Sequence, residues 1–214
     1  MRTHALLRIA GADALHREIA LPVWVAAQLR CAPWVVVRRE RPRPDLIPVG
    51  VRGPTRAQRC AAWLPKSQVL ECVEPLQLAA RRGWAGSPRR AQVPALAALE
   101  AVELIMAGLG LAGRWGPAGS VAFELASGLA TARTGSDLDL IVQADEPLPR
   151  RRAAALHGEL ARLAVRADAL LEAPAGAVSL GEYVRAEAPL LLRTPDGARL
   201  VREPHDPWIV PAAA

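Results

Sequence analysis

The residue types best suited to chemistry lie in one stretch, Trp115 to Val142, WGPAGSVAFELASGLATARTGSDLDLIV. Near its end Asp137 and Asp139 alternate with Leu138, Leu140 and Val142. Alternate side chains of a strand share a face, so the two carboxylates stand together while the three apolar residues turn toward a core. Two acids so placed repel each other unless a cation lies between their oxygens. Hard oxygen ligands on a rigid strand suit Mg²⁺ holding a substrate phosphate, with two ions expected to arrive with the substrate. Upstream, the Gly119-Ser120 turn opens a short helix. Its first-turn N–H groups and positive dipole end would face an anion, and Gly119 lets a phosphate approach the backbone closely. Ser136, just before the acids, belongs with Gly119 and Ser120 on the triphosphate side.

These residues need a sheet and helices to hold them. Pro147 to Leu163 places Leu156, Leu160 and Leu163 on one face and arginines opposite, the pattern of an amphipathic helix. The strand after it, Val165 to Glu172, alternates so that Asp168 falls on its polar face, and a helical crossover returns this strand beside the first. Asp168 is therefore the third candidate carboxylate and Glu172 the fallback. His157 has no partner at metal-ligand spacing and reads as a surface or edge histidine. Pro94 opens a helix to about Ala107, whose Leu96, Leu99, Val102 and Met106 recur at core spacing. Ser179 caps a short helix to about Ala186. Leu190–Thr194 and Ala198–Arg202 flank Pro195-Asp196-Gly197 as a hairpin.

The first part of the chain reads as a separate, basic domain. Trp34–Arg39 and Ile47–Val51 are strands expected to pair. Val23–Leu29 is either helix or strand, because the run is too short for its period to decide. Gly53-Pro54-Thr55 reads as a turn and cap opening a helix from about Arg56 to Leu64, with Arg52, Arg56 and Arg59 around its start. Cations there oppose the helix dipole unless an anion compensates, so these arginines are candidate contacts for an anionic group; the alternative is a solvated basic surface. RRGWAGSPRRAQVP, rich in Gly, Pro and Arg, reads as a linker. The expected domains are 1–81 for recognition of substrate or partner, 82–93 as linker and 94–214 for catalysis.

Composition excludes several classes. A 51% apolar content is too high for disorder, yet no run approaches the roughly 18 to 20 apolar residues that span a bilayer. The first residues lack the charged start, long apolar block and small-residue cleavage site of an export signal, so a cytoplasmic protein without membrane association is expected. Cys31, Cys60 and Cys72 are odd in number and widely spaced, and read as reduced, buried thiols. The formal charge of +6 is carried almost wholly by arginine, Lys66 being the single lysine, and suits anionic partners. Aromatics are few and not interleaved with arginines, which argues against nucleic-acid binding by base stacking.

Gly-Ser, helix, loop and then Asp-Leu-Asp-Leu in an apolar strand resembles the nucleotidyltransferase superfamily signature. More narrowly, VVVRRERP, VPVGVRGPTRAQRCAAWLP, WGPAGSVAFELASG and SDLDLIV together resemble the malonate decarboxylase holo-acyl-carrier-protein synthases, also called phosphoribosyl-dephospho-CoA transferases. The resemblance spans both halves of the chain. It departs at His4-Ala5, where His-Asp is expected, and at Ser127-Gly128, where Thr-Gly is expected. It implies an α+β fold: a nucleotidyltransferase-like catalytic domain, a mixed sheet with flanking helices, plus a small mixed α/β N-terminal domain. It further implies that Asp137, Asp139 and Asp168 bind metal and catalyse. The implied partners are triphosphoribosyl-dephospho-CoA and the apo acyl carrier protein subunit of malonate decarboxylase, whose serine receives the group as pyrophosphate leaves. Two other classes stay open: a nucleotidyltransferase with an RNA or small-molecule acceptor, and a non-catalytic binding module. The latter would be expected to have lost one of the three acids. No histidine, cysteine or serine here has a convincing nucleophile-plus-base constellation, so metal-assisted in-line transfer is the chemistry best supplied with residues.

Overall fold

Short apolar runs that alternate with polar residues build an antiparallel sheet in the first unit of the structure, Met1–Glu74, while longer runs at helical spacing cover a second sheet in Pro75–Ala214. The structure is a computed structural model that describes residues 1–41, 43–55, 57–185, 189–202 and 206–209. Arg56, the expected helix end at Ala186 and the terminal alanines lie outside the described residues.

The first unit runs β1 (Leu6–Arg8), α1 (Val23–Cys31), β2 (Trp34–Val37), β3 (Leu46–Arg52), β4 (Arg59–Pro65) and β5 (Glu71–Val73), in the sheet order β4-β3-β2-β1-β5. The expected strands pair, with Val37 opposite Val49. Val23–Cys31 is a helix, opened by Pro22, and its Val25 and Leu29 join Leu7, Val35, Val49, Ala62 and Leu64 in one core.

The helix expected from about Arg56 to Leu64 does not form among the described residues; Arg59–Pro65 is strand β4. Cys60, Ala62 and Leu64 are buried, and Arg59, Ala61 and Trp63 between them are not, a period of two rather than 3.6. Alanines favour helix locally, but a full antiparallel ladder from Leu46 opposite Pro65 to Arg52 opposite Arg59 overrides that preference. Thr55 closes the hairpin turn instead of capping a helix, donating from its N–H and its hydroxyl to Gln58 Oε1 at 3.2 and 3.0 Å.

The second unit runs α2 (Pro75–Arg81), α3 (Pro94–Gly108), β6 (Trp115–Pro117), α4 (Gly119–Ser127), β7 (Leu138–Gln143), α5 (Arg150–Leu160), β8 (Ala167–Ala173), β9 (Gly176–Ser179), α6 (Leu180–Arg185), β10 (Leu190–Thr194) and β11 (Gly197–Val201). Its sheet order is β11-β10-β9-β8-β7-β6, with β7 and β8 parallel and the other described pairs antiparallel. A parallel pair needs a crossover, and α5 supplies it. Leu138, Leu140 and Val142 of β7 and Leu171 of β8 share a core with Leu96, Leu99, Val102 and Met106 of α3 and with Leu156 and Leu160 of α5. The chain is thus an α+β protein, and no described helix is long and apolar enough to cross a membrane.

The compact units meet at Glu74–Pro75, not across a linker at 82–93. Leu78 and Ala79 of α2 are buried, and in the segment expected to be a linker Trp84 is fully buried against Trp115, ring centroids 6.0 Å apart, with Val93 1% exposed. Gly, Pro and Arg make this backbone irregular, but its apolar side chains still enter the core. Of the cysteines, Cys60 is buried and Cys72 partly buried, whereas Cys31 is exposed, contrary to expectation. Burial, reinforced by the Glu74 carboxylate, pushes the Cys72 thiol up, so it is a poor nucleophile at neutral pH.

Trp84→Ala is expected to destabilise the second unit by about 3 to 5 kcal/mol, the usual range for removing a buried large aromatic. Urea unfolding measures this; a midpoint that does not move would mean that residues 82–93 behave as a free linker.

Candidate active site

Asp139 and Asp168 occupy the same rung of the parallel ladder, Leu138 pairing with Ala167, Asp139 with Asp168 and Leu140 with Ala169. Neighbouring strands lie about 4.8 Å apart, so these carboxylates stand side by side on the face turned away from the core. Asp137 precedes β7 by one residue. It is half-buried, and fully buried Leu138 separates it from exposed Asp139. Glu172, the fallback, lies four residues further along β8, opposite Gln143. Like charges directly opposite each other disfavour a sheet unless something compensates. Arg166 supplies one compensating charge, its Nη2 lying 3.1 Å from Asp168 Oδ2.

The start of α4 lies against this rung. The Ala118 N–H donates to the Asp139 carbonyl at 2.8 Å, fixing the helix entrance beside the acid. Gly119 follows with φ +62, a left-handed conformation that favours glycine, and a Cβ there would collide with Asp139 Oδ2. No side-chain cap closes the helix at Ala118. Glycine is therefore required twice over at this point, by backbone sign and by the carboxylate packed against it. Ser120 is half-buried in the first turn.

Between α4 and β7 the chain has no regular structure, and side chains hold it in place. Gly128, at φ 73, ends the helix. Glu124 then takes the Thr131 and Ala132 N–H groups on Oε2 at 3.0 and 2.9 Å, and Arg89 Nη1 on the same oxygen at 2.5 Å. Nearer the acids, the Arg133 N–H donates to Ser136 Oγ at 2.9 Å and the Ser136 N–H to the Arg133 carbonyl at 3.0 Å, a tight turn leading into Asp137. Ser136 thus shapes the turn. Sequence reading missed Arg89 and Glu124. A glutamate one residue after Phe123 in an apolar helix, SVAFELA, was the available signal, but its partner lay in the supposed linker.

By donor type, the acidic rung is where a magnesium ion could be held, on Asp139 and Asp168. Mg²⁺ takes one or two carboxylates and completes its shell with water and substrate phosphate, and the absence of a side chain at Gly119 lets the Asp139 carboxylate pack directly against the helix entrance. No three His, Cys, Asp or Glu side chains gather into a ready-made metal cage among the described residues. His157 is exposed. The remaining candidates, Arg52 and Arg59, belong to the first unit, on paired residues at the turn end of the β3–β4 hairpin, where Arg59 is exposed. With no helix among the described residues there, the dipole rationale for them falls away, and what remains is two arginines on directly paired residues of the sheet.

Comparison with known proteins matches both units. The model of the phosphoribosyl-dephospho-CoA transferase MdcG N-terminal domain matches residues 2–75 and that of the MdcG C-terminal domain residues 76–204. A phosphoribosyl-dephospho-CoA transferase of Klebsiella pneumoniae (strain 342) is 40% identical over 95% of this chain and 95% of its own. That of Azotobacter vinelandii is 40% identical over 96% of this chain and 93% of its own, and that of Pseudomonas putida 37% over 88% and 87%. No solved structure matches. With a family model on each unit and relatives of this identity along nearly its whole length, the chain belongs to the phosphoribosyl-dephospho-CoA transferase family.

Proposed function

We propose that this protein is a transferase that moves the phosphoribosyl-dephospho-CoA group from 2'-(5''-triphosphoribosyl)-3'-dephospho-CoA to a serine of the apo acyl carrier protein subunit of malonate decarboxylase, releasing pyrophosphate, in the cytoplasm. The observation that carries the reading is the shared rung of Asp139 and Asp168 with the Gly119 helix entrance packed against it, in a chain of this family. The order β6, Gly-Ser helix, acidic strand, crossover helix, parallel strand supports a nucleotidyltransferase-like second unit.

In this reaction the serine oxygen forms a bond to phosphorus as the bond to pyrophosphate breaks. Negative charge therefore builds on the entering and the leaving oxygens. Magnesium, when bound, neutralises that charge. Asp137 and Asp139 would hold it, and Asp168, on the neighbouring strand, would complete the ligand set and orient the attacking hydroxyl. Gly119 and Ser120 open the first turn of α4 toward the triphosphate, and Ser136 keeps the acidic turn in shape. Arg166 forms an exposed, weak ion pair with Asp168, which would not prevent that carboxylate from holding a cation.

The carrier protein would meet the first unit. Its 74 residues hold 12 Arg and Lys against 6 Asp and Glu, while the remaining 140 hold 15 of each, so the net charge of +6 resides in the first unit. A basic surface attracts an acidic partner and speeds its encounter.

Asp137→Ala and Asp139→Ala should remain folded and lose at least about 100-fold in pyrophosphate release, roughly 2.7 kcal/mol of barrier, and excess EDTA should stop the parent without lowering its melting temperature. Activity within tenfold of the parent in either variant counts against the mechanism. Gly119→Ala should lose about as much activity as Asp139→Ala, because the added methyl group displaces the carboxylate; parent-like kcat would show that this packing is not used. Replacing Arg52 and Arg59 together by Gln should raise KM for the carrier several-fold with little change in kcat, and high salt should erase the difference between variant and parent. An unchanged KM at low salt would leave these arginines as solvated surface.

A further inference from the structure

We propose that Arg89, Glu124 and Thr131 form a clasp that positions the acidic turn against the start of α4, and that transfer depends on it. The proposal rests on the transferase reading above. Glu124 is buried to 7% exposure, on the helix that Gly119 begins. Its Oε2 accepts from the Thr131 N–H, the Ala132 N–H and Arg89 Nη1, while Arg89 Nη2 donates to the Ala132 carbonyl at 2.9 Å. One guanidinium therefore grips a helix carboxylate and a loop carbonyl at once. Thr131 adds the second hold, its hydroxyl donating to the Ser120 carbonyl at 2.9 Å. Ser120 belongs to the helix turn expected to face the triphosphate, and five residues beyond Ala132 the loop reaches Asp137. The β6–β7 ladder and the Ala118 N–H bond fix the helix entrance beside Asp139, and the side chains of the clasp tie down the irregular loop between α4 and Asp137.

The pairing of the two charges by itself adds little stability. Replacing a buried ion pair with apolar residues of similar volume is often neutral or stabilising, whereas removing one partner strands a charge. What the apolar version cannot do is hold two loop N–H groups and a carbonyl in fixed directions. Orientation of the loop is then the function of the charges, and small errors in placing a metal ligand cost rate steeply.

The test uses the full chain. A paired Arg89→Met, Glu124→Leu variant removes the clasp without stranding a charge, and Thr131→Val removes only the tie to Ser120. The paired variant is expected to fold with a somewhat lowered melting temperature, because the Thr131 and Ala132 N–H groups lose their acceptor, to speed backbone amide exchange of residues 131–137 about tenfold, and to lower kcat about 100-fold with KM for the carrier unchanged. Thr131→Val is expected to lower kcat about tenfold without a change in melting temperature, and it decides the matter if the paired variant does not fold. Unchanged amide exchange, or kcat within threefold of the parent in both folded variants, overturns the clasp. A parent that releases no pyrophosphate would instead sink the transferase reading and with it the catalytic purpose of the clasp, while the exchange measurement still reports whether the loop is held.

Discussion

The second unit depends on the parallel register of β7 and β8. Side chains alternate along a strand, so a slip of one residue would send Asp168 into the core and bring Ala169 or Ala167 out beside Asp139. The register is secured from the core side. Leu138, Leu140 and Val142 on one strand and Leu171 on the other have no other place to go, and α5 both covers them and enforces the parallel direction. The acidic rung is thus a consequence of hydrophobic packing on the opposite face. That is the usual way for a rigid element to hold two like charges together at a distance they would not choose.

Around this pair of strands the chain makes two close approaches that only glycine allows. At Gly119 the helix entrance touches Asp139, and at Gly116 the Pro75 carbonyl lies where a side chain would be. The second contact seats α2 on β6 and explains why the unit begins at Pro75. Both belong to short segments whose composition says little about burial. The Arg89–Glu124 pair is of the same kind: an irregular loop fixed by a few polar contacts that sequence periodicity does not register.

Legibility followed the length and repetition of the signal. α3 and α5 carry several core residues at helical spacing and appear where expected, as does the β10–β11 hairpin around its Asp-Gly turn. Three-residue strands such as β1, β5 and β6 offer no period to read. β4 misled because Arg-Cys-Ala-Ala-Trp-Leu suits a helix by propensity, while its pairing partner, β3, lies across a turn. The segment 82–93 misled because Gly, Pro and Arg mark irregular backbone, which is a different property from exposure, and fully buried Trp84 shows the difference.

By itself the sequence determined the α+β class, the pairing of apolar and acidic residues on β7, the Gly-Ser helix start and the family resemblance, because each is written in local order and spacing. The tertiary structure decided what depends on residues far apart in the chain. It put Asp168 on the rung of Asp139, drew Arg89 to Glu124 across 35 positions, made a strand of residues 59–65 and ended the first unit at Glu74. In each case the deciding energy is a burial or a hydrogen bond whose second partner local sequence does not contain.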